Sequence, residues 1–111
     1  MNRDKEYLLD IVEAARLALD YVSEKSPNDF HADTQCQDAV IRRIEIMGEA
    51  ARRVSEETRA AHTEIPWNEI VGMRNIVIHK YDGVDLVIVW ETIRNKIPPL
   101  VKELEGIIET F

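Results

Sequence analysis

The side chains best suited to chemistry lie together in Gly72-Met73-Arg74-Asn75-Ile76-Val77-Ile78-His79-Lys80-Tyr81. Arginine offers a planar fork of donors matched to the oxygens of a phosphate. Histidine titrates near neutral pH and can serve as general base or general acid. On a helix, Asn75 and His79 stand four apart and share a face, so the amide can hold the imidazole or a phosphate oxygen. Arg74 and His79 are five apart, about 140° around a regular helix, and cannot simply point the same way. Either the helix ends near His79, as Asp82-Gly83 just beyond suggests, or the arginine of one copy serves the histidine of another. A two-fold dimer would bring two arginines and two histidines into one cleft.

Each of these residues also has an ordinary structural reading. An Arg-Asn pair on a helix is commonly a solvated surface. A histidine near a helix C-terminus is commonly a favourable partner of the helix dipole. A tyrosine is commonly a core edge with its hydroxyl in water. Elsewhere the chain offers less. His31, Asp33 and Cys36 are close in sequence, but their spacing fits no zinc pattern, and no metal is expected. His62 reads as solvated. Arg42-Arg43 and Arg52-Arg53, among Glu45, Glu49, Glu56 and Glu57, read as a charged outer helix face with pairs at i, i+4. Trp67 and Trp90 read as core or interface anchors. There is no Gly-rich phosphate loop and no serine or cysteine nucleophile with a plausible partner, so no cofactor is expected.

The elements that must position the motif are helical. Residues 4–24 carry Leu8, Ile11, Val12, Ala15, Leu19 and Val22 at the spacing of an amphipathic helix. Ser26-Pro27-Asn28-Asp29 stops it. Thr34-x-x-Gln37 has the form of a capping box that opens a second helix. That helix buries Val40, Ile41, Ile44, Met47, Gly48, Ala51 and Val54. Gly48 and Ala51 leave a shallow stretch on it where another helix can approach. Ile65-Pro66-Trp67 starts the motif element, with Pro66 near a helix N-terminus.

From there two readings compete. Ile76-Val77-Ile78 and Leu86-Val87-Ile88-Val89-Trp90, with Asp82-Gly83 between them, have the composition of a β-hairpin. A lone hairpin is marginally stable, however, and no further strand is available to extend it. The helical alternative runs from Trp67 to Lys80, turns at Asp82-Gly83 and continues from about Val84 to Asn95. Pro98-Pro99 should break or sharply kink this helix. Leu100, Leu104, Ile107 and Ile108 then give a last amphipathic helix. The expected architecture is all-α, an antiparallel up-down bundle of four long helices plus a C-terminal helix.

The chain has 111 residues, 45% hydrophobic and 32% charged, which fits a single domain over 1–111. The lone Cys36, a charged N-terminus and an apolar run no longer than Leu86–Trp90 point to a cytoplasmic protein without a membrane span. Fourteen basic against 21 acidic residues leave a net charge of −7. Broad, sequence-blind coating of nucleic acid is thereby excluded. Any such contact must be local, at a patch where arginines outnumber acids.

The motif resembles the signature of the HEPN superfamily, Arg-Asn followed after a short gap by His. The tyrosine two positions past the histidine resembles the HepT toxins, small partners of MntA-type nucleotidyltransferases. Gln37 to Arg43 with Gly48 to Ala51 look like that family's second helix. Ile65-Pro66-Trp67 looks like its entry to the motif helix, and Val84-Asp85 with Val89-Trp90 like the helix that follows. The resemblance spans roughly 4–108 and favours helix over hairpin. It implies a metal-independent endoribonuclease toxin working as a homodimer on RNA, with Arg74, Asn75 and His79 catalytic. It also implies adenylylation at Tyr81 by an MntA-like nucleotidyltransferase antitoxin. The alternative is a non-catalytic helical module that binds substrate beside such an enzyme, a reading that the acidic balance favours.

Overall fold

The computed structural model describes residues 3–78 and 85–111, the side chains of 76–78 excepted. Among them there is no strand, and no helix is long and apolar enough to cross a membrane. The helices are α1 (Asp4–Val22), α2 (Pro27–Ala32), α3 (Thr34–Arg53), α4 (Glu56–Ala61), α5 (Trp67–Ile78), α6 (Leu86–Glu91) and α7 (Ile97–Ile108). A π-helical turn, Thr92–Lys96, joins α6 to α7.

The apolar faces expected from periodicity form the core. Leu8, Ile11, Val12, Ala15 and Val22 of α1 meet Val40, Ile44, Met47 and Ala51 of α3, all buried, while Ile41 and Leu19 are half-buried against them. Each large side chain removed from water contributes about 1.5–3 kcal/mol before entropy is counted. The two helices run in opposite directions. The Asp4 carboxylate at the start of α1 accepts from the Ser55 N–H (3.0 Å), the Ser55 hydroxyl (2.5 Å) and the Thr58 hydroxyl (2.5 Å) beyond the end of α3. At the other end the Cys36 thiol points at the Tyr21 carbonyl. Burial pushes that thiol up, so it stays protonated.

The connection between α1 and α3 differs from the expectation. Ser26 and Asp29 form a reciprocal capping box: each accepts the other's backbone N–H through its side chain. With Pro27 in the first turn they open α2, which buries Phe30. The cap of α3 is Asp33 and not Thr34, since the Asp33 carboxylate accepts the Cys36 N–H at 3.0 Å. Gln37, assigned to the Thr34 box, instead donates to the carbonyls of Phe30 and His31. An aspartate one residue earlier wins because its charged oxygen faces the positive end of the helix.

The hairpin reading fails on both of its described flanks. Ile76–Ile78 continue α5, and Leu86–Trp90 form α6, whose first N–H groups at Val87 and Ile88 are accepted by Asp85. Residues 79–84, including Asp82-Gly83, lie outside the described residues. Val89, Ile93, Ile97, Leu100, Leu104 and Ile107 keep one buried stripe from α6 through α7, so helical packing overrides β propensity.

Of the break or kink expected at Pro98-Pro99, the break does not occur; the prolines stand in the first turn of α7 and the helical run continues through them. Lacking N–H groups, they cannot bond the carbonyls four residues back. The chain widens there into the π turn, and the Ile97 N–H reaches the Thr92 carbonyl.

Two arginines close helix ends. Arg59 donates to the carbonyls of Ala51, Arg52 and Val54 at the end of α3. Arg94 donates to Val22 and Lys25 at the end of α1 and stacks 4.7 Å over Trp90, which packs on Phe30. Trp67 is buried, its indole N–H donating to the carbonyl of His62. His62 is only partly exposed and caps α4 rather than standing in solvent.

Candidate functional site

The motif helix α5 buries Ile70 and Met73 against the core, which leaves Arg74 at the edge of the packed face and Asn75 in solvent. Where α5 crosses α3 even a methyl group would be a tight fit. A Cβ on Gly48 would stand 3.2 Å from the Arg74 Cβ, 3.4 Å from the Ile70 carbonyl oxygen and 3.5 Å from that of Val71. The shallow stretch expected on α3 is therefore where the motif helix lies, and the glycine brings Arg74 close to the α3 backbone.

Beside that crossing, the Arg74 guanidinium reaches the Glu49 carboxylate at 3.1 Å. The two side chains are 42% and 34% exposed, so the pair stands at the rim, reachable from solvent. Glu49 also lies 3.4 Å from Arg52. A guanidinium has five N–H donors, and one carboxylate oxygen leaves most of its fork for another anion. Sequence reading missed Glu49 as a partner, placing it on an outer face of i, i+4 pairs. The signal was its position next to Gly48, which a closely approaching helix must pass.

His79 and Tyr81 lie outside the described residues, and with them the angle between Arg74 and His79 and the facing of Asn75 and His79. Of the four motif residues, Arg74 and Asn75 are placed, on one helix and both accessible.

A groove of about 270 Å³ runs from Glu49 between α3 and α1. Its walls are Arg42, Ile46, Ala50 and Arg53 of α3 and Tyr7 and Asp10 of α1. It continues into a smaller depression lined by Asp10, Glu13, Ala14, Arg43 and Ile46. Arg42 and Arg53 are exposed and make no ion pair among the described residues, and the buried Nε of Arg43 has no partner there. A second, roomier hollow beside Trp67 holds Arg59, whose guanidinium is already committed to backbone carbonyls.

Residues 11–107 match the family model described as Ribonuclease HepT-like. The chain is 42% identical over 101 residues to a Thermococcus cleftensis protein named "Probable ribonuclease HepT", covering 91% of this chain and 92% of that one. It is 38% identical over 101 residues to a candidate RNase of Methanocaldococcus jannaschii, covering 91% and 93%. It is 44% identical over 110 residues to a second protein of that organism, named for both gamma-glutamylcyclotransferase and RNase, covering 98% of this chain but about half of that relative. No solved structure matches the chain.

Proposed function

The chain belongs to the HepT-like ribonuclease family, and from that premise we propose that it is a metal-independent endoribonuclease acting through Arg74, Asn75 and His79. The observation that carries the reading is the setting of Arg74: a guanidinium at the rim of a helix crossing, 42% exposed and paired among the described residues with one carboxylate. Such a group suits a scissile phosphate, whose transition state gains negative charge on its non-bridging oxygens.

In the proposed reaction a general base takes the proton of the 2′-hydroxyl. Its oxygen attacks the adjacent phosphorus, and the P–O5′ bond breaks as a general acid protonates the leaving oxygen. The products are a 2′,3′-cyclic phosphate and a 5′-hydroxyl. His79 can supply one of the two proton transfers. A symmetric homodimer, bringing in a second His79, would supply the other. Asn75, in solvent on the same helix as Arg74, is free to hold the imidazole or a phosphate oxygen.

The toxin role and its control belong to the same proposal. Tyr81 is the acceptor of adenylyl groups from an MntA-like nucleotidyltransferase antitoxin, and the attached phosphate would compete for Arg74. In the domain reading, 1–111 form one unit, acting in the cytoplasm.

The experiment is cleavage of a labelled RNA in excess chelator. Arg74→Ala and His79→Ala are expected to lose activity by 100-fold or more, on the order found for a lost oxyanion donor, with unchanged helicity. Arg74→Lys should also be severely impaired, since an ammonium cannot reproduce the bidentate fork. Full activity in His79→Ala, or activity lost to chelator and restored by magnesium, removes the mechanism. A monomer by sedimentation at working concentration removes the shared cleft. AMP-sized mass gain on Tyr81→Phe, incubated with the nucleotidyltransferase and ATP, removes the proposed acceptor.

A further inference from the structure

We infer that the groove between α1 and α3 is the track for the RNA strand on one side of the Arg74 site, its phosphates resting on Arg42 and Arg53. The inference rests on the ribonuclease reading for the identity of its ligand, and on the groove itself for its place.

On a chain with 21 acidic and 14 basic residues, most of the surface repels a polyanion. The groove is an exception. Its two parts present Arg42, Arg43 and Arg53, and Arg74 stands just across Glu49. The acids facing it are Asp10, Glu13 and Glu49. Of these, Glu49 is engaged by Arg74 and Arg52 and forms no ion pair with Arg42 or Arg53 among the described residues.

Arg42, Ile46, Glu49 and Arg53 recur at i, i+4, i+7 and i+11, so one face of α3 forms the floor and rims. Eleven residues of helix set the two free arginines about 16 Å apart along the axis, room for a short stretch of single strand. Tyr7 lines the groove with a half-buried ring; the Arg3 guanidinium lies over it, 5.9 Å from its centroid, so a base would meet the rest of the ring. Free guanidiniums, an aromatic wall and a continuous path to the Arg74–Glu49 pair are the parts of a single-strand track.

The test compares two doubly substituted proteins of equal net charge in a His79→Ala background, which holds RNA without the proposed cleavage. One carries Arg42→Gln and Arg53→Gln in the groove. The other carries Lys96→Gln and Lys102→Gln on the C-terminal helical run. Binding of a fluorescent single-stranded RNA of about ten nucleotides is followed by anisotropy across a salt series.

The groove variant is expected to bind at least about tenfold more weakly. Its dependence of log K on log salt should flatten by about 1.4, from two phosphate contacts at roughly 0.7 each. Lys96→Gln/Lys102→Gln is expected to stay within about twofold of the parent. Arg42→Lys/Arg53→Lys should keep the salt dependence, and either single glutamine variant, expected to flatten the slope by about 0.7, replaces the pair should it fail to fold.

Equal binding by the groove and control variants overturns the inference, the outcome expected if the groove faces a protein. Its failure separates from that of the ribonuclease reading. Parent protein that binds RNA through the groove but never cuts it, with His79 restored, removes only the reaction. Protein that cuts with unchanged KM after Arg42→Gln/Arg53→Gln removes only the track.

Discussion

The α1–α3 seam and the α3–α5 seam are built from the same kinds of residue and serve different ends. Along α1–α3, two helices of 19 and 20 residues bury large side chains over much of their length. The far end of that seam is tied by the buried Asp4 carboxylate, which takes three hydrogen bonds from Ser55 and Thr58. Along α3–α5, a glycine removes the side chain at the crossing, and the charged pair beside it stays at the rim. One seam encloses its charge and gains stability; the other exposes its charge and keeps it available. A buried, fully bonded carboxylate resists exchange, whereas a rim ion pair is worth little to stability and yields readily to a competing phosphate.

The comparison is broken most directly at Asp4. Asp4→Ala strands the hydroxyls of Ser55 and Thr58 and opens a small void, at an expected cost of about 3 kcal/mol, or a fall of roughly ten degrees in melting temperature. RNA cleavage per folded molecule should not change. Loss of less than about 1 kcal/mol in chemical denaturation would show that the seam does not depend on this carboxylate.

Gly48 sharpens the other side of the comparison. Gly48→Leu forces the helices apart and should cost about 1–3 kcal/mol by overpacking. Gly48→Ala adds up to about 1 kcal/mol of helix propensity against a contact of 3.2 Å to the Arg74 Cβ, so its stability should stay near the parent's. Both should lower RNA turnover, because both displace Arg74. Wild-type turnover from Gly48→Leu would mean that the crossing does not set the arginine's position.

The smallest effect is expected where neither seam is involved, at the caps between α1 and α3. The Cys36 N–H, with Lys25 beside it, holds the Asp33 carboxyl below its ordinary value, and the Ser26 N–H does the same for Asp29. A carboxyl depressed in the folded state contributes stability above its unfolded pKa and loses it as pH falls through the folded value. Melting temperature should therefore decline on acidification below about pH 4, the unfolded aspartate range. Asp33→Ala should melt a few degrees lower at pH 6 and converge on the wild type in acid. A difference that persists undiminished at pH 2 would place the cap's contribution outside its charge.

How much could be read in advance follows from how far apart the causes lie. The faces of α1, α3 and α7 were legible because a 3.6-residue period repeats within each helix. The cap of α3 was misplaced by one residue, since Asp33 and Thr34 are both good caps and only the path out of α2 chooses between them. The short helix α4 was missed, and so was the π turn, which arises where two prolines must be absorbed without losing a buried stripe that extends from Val89 to Ile107.

The candidate site divides the same way. Sequence alone determined that Arg74 and Asn75 follow one another in a motif that the resemblance, against a competing hairpin, places on a helix, and that Gly48 leaves another helix space to approach, because both are matters of neighbours along the chain. It also carried the family, since the resemblance read from the motif and its flanks agrees with the family model matched over 11–107. Only the tertiary structure decided which carboxylate meets Arg74, which arginines close helix ends and which stay free. Arg59 and Arg94 lie against unsatisfied carbonyls, where backbone acceptors remove them from any other use. Arg42 and Arg53 border a groove and make no ion pair among the described residues. All four are the same residue type in similarly charged surroundings. What separates them is the set of backbone acceptors within hydrogen-bond reach, five to eight residues away for Arg59 but 69 and 72 away for Arg94, and which carbonyls come within reach is decided by how the chain folds back.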